Sequence, residues 1–298
     1  MTTPSTAPGA SPGGAPQAAP QRSGTSPRGE RTVVLDDDPT GTQSASGVPV
    51  LLRWEAEDLR RAMAHHDSVY LQTNSRALDQ DAATALATSI RHDVCAAADT
   101  LGVGVQFVLR GDSTLRGHVF AETDVFMTPT STMIFVPAFP AGGRTTVEGV
   151  HLVRQGGRDV PAAETEYARD PVFGFASSAL VDYVAEKSGR VGIGVALDVV
   201  RHPDPAHLVR AITTAPTGSV VVPDAQTDQD VCRIAAAITA ARAAVGSPPS
   251  GSTLSACAPR LEVSTISVCL KSTRRPCPSV RTPSSSTCSS TLNTSGWA

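Results

Sequence analysis

Four short polar clusters in this 298-residue chain carry residue types capable of chemistry. The first is DDDPTGTQ at 36–43, where three adjacent carboxylates close an aliphatic run. Adjacent carboxylates repel, and each one taken out of water needs a cation, a metal or hydrogen-bond donors. A solvated Asp-Pro turn explains them locally. A ligand site explains them chemically: repulsion between Asp37 and Asp38 raises the proton affinity of one of them toward the useful range of a base acting on a hydroxyl. The other clusters are TNSR at 73–76, RGDSTLRGH at 110–118 and PAGGRTT at 140–146. Arg76, Arg116 and Arg144 offer planar forks for a carboxylate or phosphate. Asn74, Ser75, Asp112, Ser113 and Thr114 offer the mixed donors and acceptors that read hydroxyl groups. The combination fits a polyhydroxy acid. Thr40 joins the same substrate-binding set, and Gly41 and Gly117 let backbone approach a ligand where a side chain would block it.

These clusters need a scaffold that brings them together. Between 31 and 246 short apolar runs alternate with amphipathic stretches, which predicts βαβ units and an α/β fold with an open parallel, Rossmann-like, three-layer sheet. Strands are expected at 31–36, 67–72, 103–109, 132–136, 193–198 and 219–222. Helices are expected at 55–65, 78–100, 119–127, 177–187, 205–213 and 228–244. Residues 147–160, VEGVHLVRQGGRDV, alternate apolar with polar around Gly156-Gly157 and predict a β-hairpin insertion. Each polar cluster follows a strand, and loops after parallel strands emerge on one edge, so all four should share one crevice there.

Composition narrows the function classes. With 28 acidic and 25 basic residues the net charge is -3, and no basic stripe interleaved with aromatics occurs, so neither nucleic acid nor an anionic membrane is an expected partner. A small-molecule sugar acid is. The absence of a secretory leader pattern or an 18-residue apolar run predicts a soluble, cytoplasmic chain. Only Cys95 and Cys232 lie in the patterned region, without CxxC or metal-like spacing, so neither zinc nor a disulfide framework is indicated. Residues 1–30, almost wholly Thr, Ser, Pro, Gly, Ala and Gln, read as a disordered arm before a single domain at 31–246. From 247 to 298 periodicity vanishes, Glu262 is the sole acidic residue, and four of the six cysteines occur; the tail reads as low-complexity, consistent with a shifted reading frame.

Taken with FPAGGRTT, EGVH and ARDPVFGF, the motifs DDDPTGTQ, TNSRAL and RGDSTLRGH resemble those of the N-terminal sugar-binding domain of the four-carbon acid sugar kinases, which phosphorylate threonate, erythronate and 3-oxo-tetronate. The resemblance spans about 31–246. It implies an ATP- and magnesium-dependent phosphotransferase whose second domain holds the nucleotide; that domain should follow residue 246, where the tail stands instead, and no GxxxxGK[ST] loop substitutes for it. Two other readings stay open. Asp36-x-Asp38-x-Thr40 also matches the DxDxT nucleophile motif of haloacid-dehalogenase-type phosphatases, with Lys187, Asp224 and Asp228 cast as its supporting residues. The third is a non-catalytic sugar-acid binding module.

Overall fold

The structure, a computed structural model, describes residues 29–38, 47–128, 131–245 and 263–264. The strands are β1 (Glu30–Asp36), β2 (Val50–Leu51), β3 (Ser68–Gln72), β4 (Gly104–Arg110), β5 (Thr132–Ile134), β6 (Arg144–Val147), β7 (Val150–Gln155), β8 (Arg158–Pro161), β9 (Gly192–Val195), β10 (Val220–Pro223) and β11 (Val263–Ser264). The helices are α1 (Ala56–His65), α2 (Gln80–Leu101), α3 (Val119–Phe126), α4 (Leu180–Ser188), α5 (Leu197–Val200), α6 (Ala206–Thr213) and α7 (Asp228–Val245). The chain is α/β with parallel sheets. Its parallel strands fall into two sheets where the alternation of apolar runs predicts one: β2-β3-β1-β4 and β11-β5-β10-β9. Strand periodicity shows which residues face a core but carries no signal for which strands share a ladder.

Local chemistry explains the elements. The ends of α2 are set by Asp79, whose carboxylate accepts from Ala82 N at 2.8 Å, and by Gly102 in the left-handed conformation. At α1, Glu55 and Asp58 form a reciprocal capping box. Strand β10, all aliphatic up to Pro223, is buried on both faces: Val221 packs with Ile134, Leu208 and Ile238, whereas Val220 and Val222 pack with Phe135, Leu180 and Tyr183. A parallel strand covered on both faces reads as a continuous apolar run for this reason. The first sheet has its own core, in which Val33 and Leu35 meet Leu59, Met63, Ile90 and Val94 of α1 and α2.

The expected hairpin is present within a larger unit. Gln155 pairs with Arg158 around Gly156-Gly157, both at positive φ as a two-residue hairpin turn requires, and β6 adds a third antiparallel strand through a turn at Glu148-Gly149. In the tail, β11 pairs in parallel with β5; the rest of the tail, the N-terminal arm and residues 39–46 lie outside the described residues. Cys95 is disulfide-bonded, which its helical spacing does not signal because sequence separation says nothing about spatial neighbours. No helix among the described residues is long and apolar enough to cross a membrane.

Candidate active site

Strand β1 lies between β3 and β4, and Asp36 is in register with both Gln72 and Arg110. One further bond on each side, Thr73 N to Asp36 O at 2.9 Å and Asp37 N to Arg110 O at 3.2 Å, carries the pairing past the strand ends. Three loops therefore leave the sheet at one level.

The three aspartates have three different partners. Asp36 is fully buried and its Oδ1 accepts from Arg110 Nη1 at 2.8 Å; burial still holds its carboxyl above the ordinary range. Asp37 turns into a small cavity with Oδ1 buried and unpartnered, and burial pushes it up to about 7. Asp38 forms an ion pair with Arg76. Repulsion among the three is thus a minor cause of the raised values; desolvation is the larger one.

Arg76 also reaches Asp112 at 3.2 Å, which joins the first three loops. Asp112 is the hub: its carboxylate accepts from Thr114 N at 3.1 Å, from the Thr114 hydroxyl and from Arg116 Nε at 2.7 Å. The Arg116 guanidinium lies 5.0 Å from the Tyr167 ring centroid, and its Nη1 is 4.0 Å from Asp170, beyond hydrogen-bond reach. Asp170 is itself held by Val172 N and Phe173 N at 2.9 and 3.0 Å, and these bonds keep its carboxyl below the usual range. Arg116 is thereby fixed through Nε and its planar face, and its terminal nitrogens make no hydrogen bond to another described side chain.

Beneath the ion pairs the 110–118 loop is pinned. The Ser113 carbonyl accepts from His151 Nε2 at 2.8 Å, and the Leu115 carbonyl accepts from the buried Tyr183 hydroxyl at 2.9 Å. Leu115 has φ 68°, a costly conformation for a non-glycine residue that this pinning maintains. Gly117, at φ 129°, passes so near Asp37 that a Cβ there would sit 3.2 Å from Oδ2. Across the sheet edge, exposed Asn74, at φ 51°, caps a 3-10 turn over Ser75–Ala77 that buries Ser75 and presents Arg76.

The structure thus brings together Asp37, Asp38, Ser75, Arg76, Asp112, Ser113, Thr114, Arg116 and Gly117, with Asn74 at the turn that positions Arg76. Thr40 and Gly41 lie outside the described residues. The fourth loop behaves differently from the other three, because it follows β5 in the second sheet. Arg144 at its end donates to the Gly142 carbonyl of its own turn and forms no ion pair among the described residues. The fourth loop communicates with the third through Thr146, His151 and Ser113. Arg110, His118, Glu122, His151 and Tyr183 carry no role in the sequence reading, although Arg110 and His118 end the RGDSTLRGH cluster, His151 closes EGVH, and His118 and Glu122 stand four apart at the start of a helix.

Among the described residues the parts of a phosphatase site are engaged separately. Asp36, its nucleophile, is sealed against Arg110; Lys187 donates to the Gly174 carbonyl beside Glu186; Asp224 accepts from Gly149 N at 2.9 Å; Asp228 is exposed. Among the described residues no three His, Cys, Asp or Glu side chains are placed to hold a metal ion.

Comparison with known proteins supplies the remaining constraint. Residues 32–254 match the profile of the sugar-binding N-terminal domain. A D-threonate kinase of Salmonella typhimurium is 31% identical over 70% of this chain and 48% of its own length. A D-erythronate kinase of Heliobacterium modesticaldum is 34% identical over 43% of this chain and 29% of its own. The chain thus spans about half the length, or less, of these relatives. A crystal structure of a Bordetella bronchiseptica domain of unknown function, a domain-swapped dimer with bound citrate, superposes with a TM-score of 0.52 at 28% identity, covering 71% of this chain and 52% of that one.

Proposed function

This chain belongs to the four-carbon acid sugar kinase family, as a sugar-binding N-terminal domain, and on that premise we propose that it binds a four-carbon sugar acid, threonate, erythronate or 3-oxo-tetronate, over Asp37. Arg116 carries the reading. Its Nε is bound to Asp112, its face lies against Tyr167, and its terminal nitrogens remain available as a fork for the acid's carboxylate. Asp37 and Asp38 face the sugar hydroxyls, with Asp37 ionised in part at neutral pH and able to accept a hydroxyl proton. Arg76 and Thr114 hold the acids around it in place. Citrate in the Bordetella relative is also a hydroxylated polycarboxylate, which agrees with a crevice suited to such anions.

Phosphoryl transfer from ATP with Mg2+ is the activity of the whole kinase. Phosphoryl transfer rests on positioning and on charge neutralisation of the phosphates. No described residue set here fits the metal, and we assign neither ATP nor Mg2+ to a residue of this region. The region at 31–246 is then the sugar-acid half, working in the cytoplasm. Titration calorimetry with threonate and erythronate, followed by a coupled ADP assay, tests both parts: binding without turnover is expected of this chain. Failure of a folded chain to bind either acid would overturn the reading, and phosphatase activity lost in Asp36→Ala would restore the rival.

A further inference from the structure

Behind Asp37 lies a cavity of about 20 Å³, room for roughly one water molecule, whose wall includes Asp37, Ser75, His118 and a second carboxyl, Glu122. Glu122 projects from α3 and is buried. Two hydroxyls stand beside it. The Thr73 hydroxyl lies 2.9 Å from the Asp36 carbonyl oxygen, which can only accept, so Thr73 donates. The Ser75 hydroxyl lies 3.1 Å from that of Thr73. Ser75 also adjoins the Glu122 carboxyl; this hydrogen bond lowers Glu122, but burial outweighs it and holds the carboxyl above its ordinary range.

The cations around the cavity are bound to other groups, though Arg76 still lowers Asp37 and His118 lowers Glu122, each by less than burial raises them. Arg110 of β4 binds Asp36, Arg76 of the second loop binds Asp38 and Asp112, and His118 Nε2 is 2.9 Å from the Leu78 carbonyl oxygen. Asp37 therefore faces Glu122, with Asp36 and Asp112 as further acids, and its Oδ1 is buried with no partner among the described residues. Two carboxyls that line one water-sized cavity cannot both ionise cheaply.

We propose that Asp37 and Glu122 form a carboxyl pair holding one proton between them, in which Glu122 is a positioning residue that keeps Asp37 able to accept a hydrogen bond and proton from a substrate hydroxyl at neutral pH. Burial raises both carboxyls, and the Glu122 charge adds to the effect on Asp37. The substrate half of the proposal rests on the sugar-acid reading; the pair itself does not.

The test is carboxyl 13C NMR on the full ligand-free chain, labelled at Asp and Glu, for wild type, Glu122→Gln and Asp37→Asn. In wild type, one carboxyl of the pair stays protonated to near neutral pH. Glu122→Gln lowers the Asp37 midpoint by on the order of one pH unit, a tenfold change in its ionisation constant, and Asp37→Asn lowers that of Glu122 by a similar amount, because coupling is reciprocal. Should one variant fail to fold, the other still reports the coupling. Wild-type carboxyls that both titrate below about pH 5, in the ordinary carboxylate range, overturn the proposal, as does a folded variant whose remaining midpoint is unmoved. Threonate affinity measured over the same pH range separates the two readings: a pair that titrates as described in a chain that does not bind threonate upholds the pair and overturns the ligand.

Discussion

His151 Nε2 donates to the Ser113 carbonyl oxygen across 2.8 Å, and its Nδ1 accepts from the Thr146 hydroxyl at 3.1 Å. The first bond requires a proton on Nε2, and complete burial pushes the imidazole down to about 4, so at neutral pH the ring is neutral and Nδ1 is the acceptor. Thr146 is in turn paired with Ala225 after β10, by 2.9 and 3.0 Å backbone bonds. One histidine therefore ties the second sheet and the antiparallel unit to the loop that carries Asp112 and Arg116.

Acidification should expose this histidine. Its folded value lies below its unfolded one, near 6.5, so the unfolded chain binds the extra proton between about pH 6.5 and 4, and the contribution to stability, full above 6.5, is lost as pH falls through that window. The loss approaches about 3 kcal/mol. Denaturant unfolding from pH 7.5 to 4.5 should show a smaller acid-side decline in His151→Gln than in wild type. Parallel curves would contradict the neutral-ring assignment.

Asp37 has the opposite sign. Burial raises its folded value to about 7 from 3.8, so the folded chain holds a proton that the unfolded chain has released, and stability is lost as pH rises through this range. Asp37→Asn should be more stable than wild type above about pH 7, by on the order of 2–4 kcal/mol, with the difference shrinking toward pH 4. Thermal melts of both proteins at pH 5 and 8 check this; an equal difference at both values would locate the cost elsewhere.

Truncating Arg116 should weaken sugar-acid binding. Removing one member of a desolvated charge pair costs ~2–5 kcal/mol, so Arg116→Ala should lose at least about thirtyfold in affinity for threonate at 1.4 kcal/mol per decade. Arg116→Lys should rescue poorly, because an ammonium cannot at once bind Asp112 through Nε, cover Tyr167 and present a fork. Calorimetry against threonate and its uncharged analogue threitol separates the roles. Equal loss of both ligands would make Arg116 structural and turn attention to Arg76 or Arg144.

Gly117→Ala should strike both loop and base. The residue adopts φ 129°, and its new methyl would stand 3.2 Å from Asp37 Oδ2. A destabilisation of about 1–3 kcal/mol is expected from the backbone alone, together with loss of threonate binding. Unfolding and binding measured on the same preparation decide it; unimpaired binding would show that the loop has room to move away from Asp37.

Much of this was legible in the residues themselves. Strands such as VVL before the aspartates and VVVP at 220–223, the cap at Asp79 and the Gly156-Gly157 turn are set by period, burial demand and backbone permissiveness, which act over a few residues. The rule that loops after parallel strands share an edge was enough to group Asp37, Arg76, Asp112 and Arg116. Three-dimensional packing decided the rest. It divided the strands between two sheets, gave Asp36 to Arg110, and brought Glu122 of α3 behind Asp37. It also set His151, a strand residue, under Ser113 across 38 positions of sequence. Local sequence specifies which side of an element is apolar. The partner a buried polar group finds depends on which elements pack against it, and desolvation and hydrogen bonding act through that distance in space whatever the separation along the chain.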